Sequence, residues 1–190
     1  MIKPVIMLMS LIILLSCSSN IKNVAPRQTE QPSGQQAKVY ENRVIGVYST
    51  KLLDKSKSRL RNIDLAIEEI NKVVLQPGEV FSFNKTVGPR TKARGFQRAL
   101  MLIKKEKVLG YGGGICQVST TLYNGALGAG LEITERHEHE NEIGYVELGD
   151  DATVSYPDLD LKIRNNKEYP VRFRMGVGEN TVDVTILTAL

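Results

Sequence analysis

Three consecutive glycines, Gly112-Gly113-Gly114, run directly into Ile115-Cys116-Gln117-Val118-Ser119-Thr120-Thr121-Leu122-Tyr123-Asn124. No other junction in the chain restricts the fold so much. Glycine permits positive φ and close approach of other segments, while the residues that follow carry helical spacing, with Val118, Leu122 and Leu127 on an inward face. The reading is a tight loop opening a helix, with Cys116 in its first turn. Unpaired amides and the positive end of the helix dipole favour a thiolate there and leave N–H groups around Ile115 to Gln117 for an oxyanion. The plainer alternative is a small buried core cysteine, although core packing asks for no glycines beside it.

The only other cysteine, Cys17, closes a different pattern. Lys3, the apolar stretch from Val5 to Leu15 and the run Leu14-Leu15-Ser16-Cys17 resemble a bacterial lipoprotein signal with its lipobox. Residues 1–16 are then a signal peptide and Cys17 is the lipidated first residue of the mature chain; an ordinary cleaved signal or an uncleaved anchor is the alternative. The expected location is the bacterial cell envelope, as an exported lipoprotein tethered to a membrane through Cys17. With Cys17 acylated, Cys116 has no partner within the chain, and a solitary thiol in an exported protein points to chemistry. Residues 17–38 are polar and proline-containing, too poor in apolar groups to offset ordering entropy, and read as a flexible tether. The folded domain is expected over residues 39–190.

Lys and Arg total 25 against 21 Asp and Glu, a formal charge of +4. The basic residues are scattered among acids with no aromatic-basic stripe, so no nucleic-acid partner is expected. Within the domain, Val44 to Tyr48 reads as a strand, and Ser58 to Leu75 as an amphipathic helix with Leu60, Ile63, Ile67, Ile70 and Val74 as its core stripe. Val80 to Asn84 reads as a strand, and Ala99–Ile103 with Lys107–Leu109 as a hairpin. After the Cys116 helix come β-type runs at Leu131–His137, Ile143–Leu148, Ala152–Tyr156, Leu159–Arg164, Val171–Met175 and Val182–Leu187. The fold class is α+β: a cysteine-bearing helix packed on an antiparallel sheet, in papain/transglutaminase-like order, preceded by an amphipathic helix.

The chain has two histidines, His137 and His139, both between Cys116 and the pair Asp150-Asp151. A thiol nucleophile needs an imidazole to take and return its proton, oriented by a carboxylate or amide. Cys116, one of the two histidines and Asp151 make such a set, which uses no metal or other cofactor. A competing arrangement is zinc held by His137 and His139 from one face of an extended segment, with Cys116 or an aspartate completing the shell. Solvated histidines within the charged run Glu135-Arg136-His137-Glu138-His139-Glu140 are the third reading.

Gly46-Val47-Tyr48-Ser49-Thr50, Pro77-Gly78-Glu79-Val80-Phe81-Ser82-Phe83-Asn84, Val87-Gly88-Pro89-Arg90-Thr91, the glycine–cysteine run, Glu135-Arg136-His137-Glu138-His139 and Asp151-Ala152-Thr153-Val154-Ser155-Tyr156 together resemble the successive motifs of the VanW-like family, from about Val44 to Val177. The resemblance implies a cell-envelope protein. Some members are L,D-transpeptidases of peptidoglycan, which would make Cys116 the nucleophile toward stem peptides, with His137 or His139 and Asp151 assisting. Gly113, Gly114, Gln117, Ser119, Thr120, Tyr123 and Arg136 are then the expected substrate-contacting residues, with helix packing as their alternative role. Many members have proline between the two histidines and serine after the second, where this chain has Glu138 and Glu140. Two other functions fit the same residues: a thiol peptidoglycan peptidase, and a non-catalytic binder of wall peptides or glycopeptide.

Overall fold

The computed structural model describes residues 42–103, 106–140 and 142–189. The signal peptide, Cys17, the tether and the Lys104-Lys105 turn expected from the sequence lie outside the described residues. The described chain is α+β, with antiparallel sheets and few helices.

β1 (Val44–Lys51), β9 (Thr181–Thr188), β8 (Val171–Val177) and the short β2 (Val74–Leu75) form a four-stranded antiparallel sheet in the order β1-β9-β8-β2. β8 and β9 are a hairpin in the register Val171↔Thr188 to Val177↔Val182. Alternation along both strands places Val171, Phe173, Met175, Val182, Val184 and Ile186 in the core, as the two-residue period of a strand demands. α1 (Lys57–Ile70) and α3 (Ile115–Gly128) cover that face, α1 against β8 and α3 against β1 and β9.

Glycine sets how closely α3 approaches. A Cβ on Gly125 would stand 2.4 Å from Val184 Cγ1, and one on Gly46 of β1 would stand 2.6 Å from the Gly125 carbonyl oxygen. The helix therefore lies nearly backbone-to-backbone on the sheet. Val118 and Leu122 face inward together with Ala126, whereas Leu127, expected on the same face, is 47% exposed. Ala126, four residues on from Leu122, stays on the inward face, whereas the five-residue step to Leu127 carries it about 140° around the helix.

α1 is shorter than its apolar stripe suggests. It buries Ile63, Ala66, Ile67 and Ile70 but stops there, because the Asn71 side chain pairs with the backbone of Met175 in β8, donating to its oxygen (3.0 Å) and accepting from its nitrogen (2.7 Å). Val74 then belongs to β2 and is exposed.

β3 (Val80–Ser82), β7 (Lys162–Arg164) and β6 (Glu132–Glu135) form a second, three-stranded sheet. The strand expected over Val80–Asn84 gives way to α2 (Phe83–Val87), because the Ser82 hydroxyl accepts from Lys85 N and caps a helical turn. Phe81 joins the two sheets through an edge-on contact with Phe173, ring centroids 5.2 Å apart. β4 (Arg98–Ile103) and β5 (Glu106–Tyr111) pair as a separate hairpin, which delivers the chain into the glycine loop.

Between β6 and β7 the chain is mostly irregular. Of the strands expected there, Ile143–Leu148 is bends and turn, broken where Gly144 adopts φ +73°, and Ala152–Tyr156 retains only the isolated bridges His137↔Thr153 and Ser155↔Leu159. This segment runs across the N-terminal half of α3, where the functional residues collect.

Candidate active site

All three loop glycines are required by space or by backbone angle. Gly112 and Gly114 hold φ of +90° and +106°, and a Cβ on Gly113 would meet the Leu100 carbonyl oxygen at 2.6 Å. Buried Asn62 of α1 fixes the loop. Its Nδ2 donates to Gly113 O and Gln97 O, each at 3.0 Å, and its Oδ1 accepts from Gln97 N at 2.7 Å. Gly114 is the N-cap of α3, so Cys116 lies in the first turn.

The free amides here differ from the expected Ile115–Gln117 set. Ile115 N donates to Gly112 O and Gln117 N to Gly114 O, each at 3.1 Å. Among the described residues no acceptor is recorded for the amides of Gly113, Gly114 and Cys116. The amides left open to an acceptor are therefore those of the loop and of Cys116 itself.

Cys116 Sγ lies 3.6 Å from both Thr153 Oγ1 and the Val154 carbonyl oxygen, on the segment that crosses α3. The same segment brings His139, whose Nδ1 is 2.6 Å from Asp151 Oδ2; the backbone N of His139 donates to that oxygen at 2.7 Å. With Nδ1 committed to the carboxylate, Nε2 is the nitrogen free to serve the thiol. Burial alone would push the Cys116 thiol up, but the hydrogen bond and charge of the His139 imidazole bring it below the ordinary thiol value. Burial opposes charge on His139 too, and Cys116 and Asp151 outweigh it, so its pKa is raised. The two shifts act in the same sense, each favouring the charged form of its group.

Asp151 is itself anchored. It is 3% exposed, and Arg136 Nη2 stands 3.6 Å from its Oδ1. Arg136 also donates from Nε to Asp151 O and from Nη2 to Gly149 O, each at 2.6 Å, while its guanidinium lies 4.9 Å over the Tyr123 ring. Ser119 Oγ donates to Ala152 O at 2.6 Å, and Thr120 Oγ1 accepts from Ala152 N at 3.0 Å. Ser119, Thr120, Tyr123 and Arg136 thus stand behind Asp151 and build its support, whereas Gly113, Gly114 and Gln117 line the cleft with Cys116 and His139.

The two histidines do not share a target. His137 Nε2 pairs with Glu135 Oε1 at 3.0 Å, while His139 pairs with Asp151 and faces the cleft with Cys116. The His-Glu-His chelate weighed from the sequence is therefore not assembled, and among the described residues no group of three or more His, Cys, Asp or Glu side chains converges on a metal position.

The cleft over Cys116 has a volume of about 360 Å³. Its walls add residues that the sequence reading passed over, chiefly Arg59 of α1 and Tyr145 of the crossing segment. Tyr145 has its pKa raised, first by burial and then by the nearby Cys116 charge. Arg90 packs behind the glycine loop, 5.5 Å over the Phe83 ring, with both terminal nitrogens buried and no acceptor for them among the described residues. Burial pushes it down to about 10, and its largest opposing attraction is to Cys116. Arg90 stands in the Val87–Thr91 motif, which was a usable signal; Arg59 flanks the apolar stripe of α1 and gave none.

A family model described as "VanW like protein" matches residues 58–187. The chain is 42% identical over 130 residues to "Uncharacterized protein YoaR" of Bacillus subtilis (strain 168), an alignment covering 68% of this chain and 43% of that protein. It is 31% identical over 121 residues to "Vancomycin B-type resistance protein VanW" of Enterococcus faecalis (strain ATCC 700802 / V583), covering 59% of this chain and 42% of that one. The chain thus spans less than half the length of these curated relatives. No solved structure matches.

Proposed function

The chain belongs to the VanW-like family, and from that premise we propose that it is a cell-envelope cysteine acyltransferase acting on peptidoglycan stem peptides, an L,D-transpeptidase-like enzyme working through a Cys116 thioester. The observation that carries the reading is the Cys116–His139–Asp151 constellation, with the thiol lowered and the imidazole raised. Vancomycin resistance, in the name of the Enterococcus faecalis relative, is in keeping with a cell-wall substrate. The order of parts, a nucleophile helix followed by the histidine and then the acid, supports a papain/transglutaminase-like arrangement, with His139 supplied by an irregular segment in place of a strand.

In the proposed reaction the Cys116 thiolate attacks the carbonyl of the stem's L-to-D amide. The oxyanion draws on the loop amides and that of Cys116. The C–N bond breaks as the His139 imidazolium gives its proton to the departing D-alanine amine, leaving a thioester and neutral imidazole. The amine of a neighbouring stem then attacks the thioester, His139 takes that amine's proton, and the thiolate departs. Water in place of the amine gives a trimmed stem by the same steps. A lipid on Cys17 would hold the domain at the membrane face, within reach of the wall along the 17–38 tether.

Mass spectrometry of the protein with a disaccharide-tetrapeptide, beside Cys116→Ala, tests this. The expected product is a dimer of two substrate masses less one D-alanine, made by the wild type and not by the variant. A trimmed monomer alone identifies a peptidase. No substrate change from a folded wild type, with tight peptide binding retained in Cys116→Ala, identifies a binding protein and rejects the acyltransferase.

A further inference from the structure

Arg59 projects from the first turn of α1 into the cleft that holds Cys116 and His139. Its stem is packed on the helix cap, since a Cβ on Gly114 would stand 3.1 Å from Arg59 Cγ. Its Nη2 donates to Gln117 Oε1 at 2.9 Å. Gln117 cannot turn away, because its Nε2 is committed to Thr50 Oγ1 at 3.1 Å and to Lys51 O at 3.0 Å, so its carbonyl oxygen must face the guanidinium. Thr50 is held in turn by Thr121, their hydroxyl oxygens 2.8 Å apart. A buried polar network therefore sets the direction of Arg59.

What that network does not supply is charge. The acceptor is a neutral amide, no carboxylate forms an ion pair with Arg59 among the described residues, and its Nε is buried with no acceptor there. Leaving a guanidinium donor buried and unmatched is costly, and a planar fork of fixed direction is suited to bidentate capture of a carboxylate. The thiol sits two positions beyond the capping glycine against which Arg59 packs.

We propose that Arg59 is the receptor for the free terminal carboxylate of the acyl donor, the carboxylate of the single residue that leaves when Cys116 attacks. This rests on the acyl-transfer reading and narrows it. The donor is a peptide ending one residue past the scissile carbonyl, a tetrapeptide-type stem with a free C-terminus, and neither a longer stem nor an internal amide satisfies Arg59. Arg59 is a binding residue here; the proton transfers remain with His139.

Two measurements on the full chain test this, with Arg59→Gln removing the charge and Arg59→Lys keeping it. The first compares alkylation of Cys116 by iodoacetate and by iodoacetamide, which needs no natural substrate. Arg59→Gln is expected to slow the anionic reagent about tenfold while leaving the neutral one unchanged, and Arg59→Lys to recover part of the difference. The second compares tetrapeptide donors with a free or an amidated C-terminus. The wild type is expected to favour the free acid at least tenfold, and Arg59→Gln to lose that preference through KM. Equal slowing of both alkylating reagents, or a wild type indifferent to amidation, overturns the proposal. A selective loss of iodoacetate reactivity with no peptide turned over by the wild type supports Arg59 as a carboxylate receptor and sinks the acyltransferase reading alone.

Discussion

Replacing Asp151 by asparagine isolates the charge that holds His139. The carboxylate accepts from His139 N at 2.7 Å and sits 2.6 Å from its Nδ1, both on Oδ2, with Arg136 Nη2 3.6 Å from the other oxygen. An asparagine oxygen in the Oδ2 position keeps both contacts in a site that is only 3% exposed, so the geometry survives and the negative charge does not. Hydrogen bonds to charged groups contribute about 1.5–3 kcal/mol against about 0.5–1.5 for neutral ones. The difference, about 1–1.5 kcal/mol, corresponds to roughly one pKa unit at 1.36 kcal/mol per unit. The sign follows from what Asp151 does: burial disfavours the imidazolium, Cys116 and Asp151 favour it, and removing the carboxylate lets the proton go at lower pH.

The assay is the proton NMR titration of the imidazole C–H signals in a Cys116→Ser background, where only Asp151 remains to act on the ring. With only two histidines in the chain, the His139 signals are assigned by their loss in His139→Gln. Asp151→Asn is expected to lower the His139 midpoint by about one pH unit. With Cys116 restored, the ratio of thiolate–imidazolium to thiol–imidazole should fall about tenfold, seen as slower iodoacetamide labelling near neutrality and an unchanged alkaline limb. An unmoved His139 midpoint would refute the assignment of Asp151 as the orienting acid.

Two glycines of α3 should respond in opposite directions to the same change. Gly125→Ala places a methyl 2.4 Å from Val184 Cγ1 and is expected to cost about 1–3 kcal/mol in chemical denaturation, whereas Gly128→Ala meets nothing within 4 Å and should stabilise by about 0.4–1 kcal/mol. Equal effects would mean that α3 does not lie as closely on β1 and β9 as described. Glu135 is brought down to about 2, first by its hydrogen bond from Lys162 and then by His137. A depressed carboxylate contributes stability fully above its unfolded value near 4.5 and loses it as pH falls toward 2, so Glu135→Gln should flatten the acid limb of the stability profile between those values. The effect should shrink in high salt, because Lys162 and Glu135 are partly exposed.

The placing of Cys116 was legible in the sequence because its requirements are local: a glycine loop and the first turn of a helix are both written in contiguous residues. The sequence narrowed the base to two histidines but could not choose, since His137 and His139 differ by one strand period and the choice depends on where Asp151 arrives from across the fold. The missed parts share a cause. Arg59 sits beside an apolar stripe that identifies α1 as a core helix, and only the packing of Gly114 on α1 turns that flank toward the thiol. Ile143–Leu148 has the composition of a strand, but Gly144 breaks it and Tyr145 turns into the cleft. Ser119, Thr120 and Arg136, expected to contact substrate, spend their polar groups on the segment that carries Asp151, and the Tyr123 ring lies under the Arg136 guanidinium.

That support explains how an irregular segment can hold Asp151 and His139 in fixed places, as the proposed acyl transfer requires. The segment from Arg136 to Tyr156 has almost no ladder of its own, so its position depends on side-chain bonds to α3: Ser119 and Thr120 hold Ala152, and Asn124 Nδ2 donates to Asp150 O at 2.7 Å. Each lies on the helix that carries Cys116, one to two turns beyond it. Cys116 and Asp151 are therefore referenced to a single element, and movement of the hairpin or of either sheet edge changes the cleft walls without separating Cys116 from the Asp151–His139 pair. In such a scaffold the cleft walls, Arg59 and Tyr145 among them, are where substrate preference can diverge between relatives while the thiol chemistry stays the same.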